Sequence, residues 1–113
     1  MNDRLPAHLI ASALVRRVDQ AGGSAMILAK GDSQAGAILV LTMHRGADPR
    51  FFERGMGRDG RVELIAAGPE AFADSAAISD YWQRRRRNDP DLWVIEVDVA
   101  EAERFVAETI VQA

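Results

Sequence analysis

Four consecutive arginines, Arg84-Arg85-Arg86-Arg87, lead directly into Asn88-Asp89-Pro90-Asp91-Leu92-Trp93. A guanidinium is always charged and offers five donors in a planar fork, which suits carboxylates and phosphates. The chemistry such a run could do is anion capture, from a phosphate or a nucleic-acid backbone, or carboxylate pairing with a protein. Helical geometry limits it. Each residue turns about 100°, so four successive arginines fan around the axis. Arg84 and Arg87, three apart, are the natural pair for one face. Arg16 and Arg17 are the other adjacent cations. The candidate anion- or partner-binding set is therefore Arg16, Arg17, Arg84 and Arg87. Asp89, Asp91 and Glu96 follow the run at once and are candidate structural charge partners. Residues 88–113 carry seven carboxylates against Arg104 alone, so this acidic tail could neutralise part of the basic block.

Other reactive groups are sparse. His44, with Asp48 or Glu53 nearby in sequence, is the one acid–base candidate, and it carries the reading of a small enzyme. No serine sits in a nucleophile elbow. Two histidines, His8 and His44, make a poor metal set, and the lack of cysteine excludes thiolate chemistry and cysteine-based zinc sites. No cofactor or metal is expected. Gly55-Met56-Gly57-Arg58-Asp59-Gly60 has neither the spacing nor the following helix of a nucleotide loop. Tyr81, Trp82 and Trp93 could stack on bases, but Tyr81 and Trp82 fall on the apolar side of a helix and read as packing residues.

These residues must be positioned by a small fold. The chain has 113 residues, 48% of them hydrophobic, and a net charge of -3. That suits one domain, residues 1–113, with one modest core. The negative balance argues against wholesale nucleic-acid binding. Met1-Asn2-Asp3-Arg4 is followed by no long apolar run, so no signal peptide is expected. No apolar stretch reaches the length of a membrane span. A cytoplasmic setting fits the absence of cysteine.

Pro6 opens a helix over about 6–20, with a stripe of Leu9, Ile10, Ala13, Leu14 and Val18 and a stop at Ala21-Gly22-Gly23. Strands are predicted at 24–30, 36–44, 50–55 and 62–66, separated by turn signals. The second is nearly all apolar, as befits a central strand covered on both sides or buried in an interface. Asp74 or Ser75 caps a helix running to Asn88. Leu92 to Val97 forms a fifth strand, and about 100–110 a last helix. Strands two to four, joined by short turns, should be antiparallel neighbours. The expected class is α+β, with four to five mostly antiparallel strands in the order α-β-β-β-β-α-β-α. Its two to three helices are expected on one face of the sheet.

Two stretches also resemble a known family. Arg4-Leu5-Pro6-Ala7-His8-Leu9, Ala13 to Arg17, Gly22-Gly23, Gly31-Asp32 and Ala35 to Val40 form the first. Arg84 to Arg87 with Asp89-Pro90-Asp91-Leu92-Trp93-Val94-Ile95-Glu96 form the second. Together they are similar to the DUF1491 family of small uncharacterised alphaproteobacterial proteins, over about residues 4–106. The resemblance implies a bacterial cytoplasmic protein and supplies no activity, substrate or catalytic residue. Arg45 to Gly60 matches least.

The function expected from all of this is a small non-enzymatic interaction or regulatory module, with a protein partner or a second copy of itself. The alternatives are nucleic-acid or phosphate binding through the arginine-rich helix end, and a small enzyme using His44 with nearby carboxylates.

Overall fold

Pro6 fixes the entry to helix α1 (Ala7–Gln20), and the chain leaves it through Gly22, whose φ of 84° is open to glycine without strain. A computed structural model describes residues 5–112. Arg4 and the expectation that residues 1–4 open no signal peptide lie outside that range. Strands β1 (Ser24–Ala29), β2 (Ile38–His44), β3 (Ala47–Met56) and β4 (Val62–Ala67) follow. Helix α2 (Ser75–Asn88), strand β5 (Trp93–Asp98) and the short helix α3 (Ala102–Val106) complete the order, and α3 runs on into a π-helical turn, Ala107–Val111. The α+β class and the element order agree with the sequence reading.

The five strands form one mixed sheet in the order β1-β5-β2-β3-β4. β2, β3 and β4 are antiparallel neighbours, as short turns require. β5 enters between β1 and β2, antiparallel to the first and parallel to the second. The connection from β2 to β5 spans β3, β4 and α2, which gives the parallel pair the long crossover it needs. β2 is thus the middle strand, and Ile38 to Leu41 are all buried.

The helices depart from the single-face expectation. α1 and α3 cover one face, where Ile10, Leu14, Val18, Val106 and Ile110 meet Ile38, Val40, Ile95 and Val97. α2 lies on the other, where Phe72, Ile78, Tyr81 and Trp82 meet Leu39, Leu41, Phe51 and Val94. The reason is in the strands. β2 and β5 are apolar on both faces, so neither face can be left in water. Leu9, counted in the α1 stripe, is 46% exposed, and Ala7 and Ala11 take the buried side instead.

The β2–β3 connection is tighter than the five-residue turn expected. Arg45 and Gly46 both have positive φ, 54° and 74°, as a two-residue hairpin turn demands, and His44 pairs with Ala47. The Asp98 carboxylate accepts both turn amides, from Arg45 at 2.6 Å and Gly46 at 2.9 Å. This side chain, 52 residues downstream of the turn it fixes, offsets the strain of an arginine in the left-handed region.

Candidate binding site between α2 and the sheet

α2 starts cleanly, since the Asp74 side chain accepts the Ala77 amide at 2.9 Å. Its sequence then offers only a thin apolar stripe, and none of its residues is fully buried. Such a helix needs polar anchors, and the arginine run supplies them.

Arg85 is the first anchor. Its two terminal nitrogens donate to both Glu53 oxygens on β3, at 2.7 and 3.1 Å, and one also donates to the Tyr81 hydroxyl at 3.1 Å. This is the bidentate fork that arginine makes with a carboxylate. The Glu53 hydrogen bonds push the Arg85 pKa above its ordinary value, against a burial cost that pulls it down, and Tyr81 adds to the rise. The guanidinium is fixed in its charged form.

Arg86 is the second anchor. Its Nε donates to the Leu92 carbonyl at 3.0 Å, and its Nη2 to the carbonyls of Pro90, at 2.8 Å, and Lys30, at 3.1 Å. Around it, the Asp32 amide donates to the Asp91 carbonyl at 3.0 Å and the Trp93 indole to the Asp32 carbonyl at 2.7 Å. Gly31 passes so close to the Asp91 carbonyl that a Cβ there would collide with backbone. The Gly31-Asp32 turn and the Asp91-Leu92-Trp93 segment, far apart in the chain, are one joint in space.

Both anchors hold the C-terminal half of α2. Beneath its N-terminal half lies an open, largely apolar groove of about 400 Å³, bounded by Leu28, Leu41, Met43, Ile78 and Trp82, with Glu96 among the lining residues. The register places Met26 of β1 and Leu41 of β2 directly beside Glu96 of β5. A half-buried carboxylate therefore sits in an apolar row on a strand with neighbours on both sides. Among the described residues it has no hydrogen-bond or ion-pair partner.

The other sequence candidates are spread widely. Arg84 and Arg87 are exposed and make no ion pair among the described residues. Arg17 belongs to the opposite layer, donating to Thr109 at 2.8 Å and Glu108 at 3.0 Å, with Arg16 exposed beside it. The four proposed cations do not converge. Asp89, Asp91 and Glu96 form no ion pair with the run among the described residues. Asp89 instead accepts the Asp91 amide at 3.2 Å, and Asp91 contributes its carbonyl. Of the run, Arg86 reaches the backbone carbonyls of this turn, those of Pro90 and Leu92, rather than its carboxylates.

His44 borders a second cleft, of about 450 Å³, with Asp98, Glu101 and Arg104. Both Asp98 oxygens are taken by the β2–β3 turn, and Glu101 pairs with Arg104 at 3.3 Å. No carboxylate is hydrogen-bonded to His44 among the described residues. Among those residues there is also no group of three or more His, Cys, Asp or Glu that could hold a metal ion, and no helix is long and apolar enough to cross a membrane. Glu53 and Asp98 were missed as anchors by sequence reasoning. Glu53, on a strand face with Phe51, had a faint signal, a carboxylate in line with a buried aromatic.

A family model described as a protein of unknown function (DUF1491) matches residues 5–107. The structure is similar to a crystal structure of a DUF1491 family protein from Caulobacter crescentus, with a TM-score of 0.77 and 30% identity over 90% of this chain and 94% of that one. It is also similar to an NMR structure of a DUF1491 family protein from Caulobacter crescentus, with a TM-score of 0.76 and 29% identity over 96% and 97% of the two chains. A solution structure from A. tumefaciens gives a TM-score of 0.64 and 33% identity, over 85% and 86%. No curated protein matches.

Proposed function

The chain belongs to the DUF1491 family, and from that premise we propose that it is a one-domain, non-enzymatic interaction module of the bacterial cytoplasm that pairs with a second copy of itself. The supporting observation is the β1 edge. Ser24-Ala25-Met26-Ile27-Leu28-Ala29 has neither charge nor proline, and only β5 pairs with it. Unprotected edges recruit further strands, and proteins usually blunt them with charge. The opposite edge is blunted in that way, since β4 carries Glu63 and follows Arg61. Met26 is 59% exposed beside the bare edge. Antiparallel pairing of two β1 strands about a twofold axis would join two sheets through a self-complementary contact.

The anion reading has weaker support, because Arg85 and Arg86 are committed internally and Arg16 and Arg17 lie in the other layer. Light scattering tests the self-pairing. The expected mass is twice the 12.4 kDa of one chain, falling to one chain in Met26→Lys with an unchanged circular dichroism spectrum. A wild-type protein that stays at the single-chain mass at high concentration would overturn it.

A further inference from the structure

The groove beneath α2 carries an inference independent of self-pairing. We propose that it binds a small organic cation, a protonated amine on an apolar alkyl or aryl body. Its volume, about 400 Å³, falls within the usual size of small-molecule sites, which are mostly apolar with a few placed polar groups. Leu28, Leu41 and Ile78 give the walls, and Met43 adds an adaptable thioether. Glu96 is the charged group in the lining.

Glu96 determines the sign of the ligand. Flanked across the strands by Met26 and Leu41 and along β5 by Val94, its carboxylate opens into the groove, where it is available to pair with an incoming cation. The chain supplies no cation among its described residues. The two arginines that anchor the helix above the groove are committed, Arg85 to Glu53 and Arg86 to three carbonyls. An incoming ammonium would supply the missing partner, and its apolar body would displace water from the walls. Trp82, in the same lining, adds an aromatic face that attracts cations. Ser75 and Ser79 offer hydroxyl acceptors from the helix side. Anionic ligands are rejected by the same carboxylate.

Hexylamine, hexanol and hexanoate distinguish the terms, read by NMR on the Met43 methyl and the Trp82 indole. Hexylamine is expected to shift both signals saturably, hexanol to bind more weakly, and hexanoate to leave them unchanged. Glu96→Gln should weaken hexylamine about tenfold, the scale of one lost charge-assisted contact, and leave hexanol unaltered. Equal affinity for hexanol and hexylamine, unchanged hexylamine binding in Glu96→Gln, or no response to any probe would each overturn the proposal. A second variant guards against misfolding of the first. Ser79→Phe fills the groove from the helix surface with Glu96 intact. It should abolish the hexylamine shifts, and retained shifts would count against this site.

Discussion

The two helical layers hold the same sheet by different physics. On one face, α1 and α3 bury Ile10, Leu14, Val18 and Val106 almost completely. On the other, α2 buries no residue fully and is held at one end by Arg85 and Arg86. The first layer is a core, and its attachment is diffuse. The second is a pinned cover whose attachment is concentrated in a few directional bonds. A pinned cover can leave a groove beneath its free end without unfolding the sheet, and the groove under α2 is of that kind. The cleft beside His44 lies instead at the rim of the core layer, where α1 ends and α3 begins.

Substitutions of graded severity separate the two layers. The largest effect is expected on the core side. Leu14→Ala should cost about 2–5 kcal/mol of global stability, the range for a buried leucine truncated to alanine, visible as a lowered midpoint in urea unfolding. Arg85→Ala comes next. It leaves Glu53 half-buried without its partner, a change on the order of 1–3 kcal/mol once partial exposure is allowed for. Its signature is local: amide exchange should accelerate across α2 while α1 amides keep their protection. If both layers lose protection equally, α2 is an integral part of the core and the contrast fails. The smallest effect belongs to the exposed pair. Arg84→Ala with Arg87→Ala should shift stability by less than about 0.5 kcal/mol, and a larger loss would show that these side chains are anchors too.

Local signals in the sequence were sufficient for most elements. Pro6, Gly22-Gly23, Asp74 and Pro90 mark boundaries close to those observed, and the unbroken apolar run in β2 correctly marks a strand covered on both faces. Long-range pairing was not legible. Arg85 and Glu53 are 32 residues apart, and nothing local favours Glu53 over Asp80 or Asp89 as its partner. The same holds for Asp98, whose two bonds to the hairpin turn depend on β5 ending beside β2. The arginine run was informative as a unit, but helical fanning divides it. Arg85 points to β3 and Arg86 to the β5 entry, while Arg84 and Arg87 face outward. The need for a helix on each face was present in the apolar runs of β2 and β5, whereas the position of β5 between β1 and β2 was not encoded in any single strand.

That sheet order also governs how the protein must be made. β5 sits between β1 and β2, yet it is the last strand to leave the ribosome. Until residues 93–98 emerge, β1 has no strand to pair with, and β2 lacks its parallel neighbour. The β2–β3–β4 meander can assemble early through short hairpins, while β1 waits for a partner about 70 residues downstream. Closure through such distant pairings is slow, and it leaves the apolar, uncharged β1 exposed during synthesis. A truncation before Trp93 would therefore sever both ends of the molecule, since the strand that joins them is the one that arrives last.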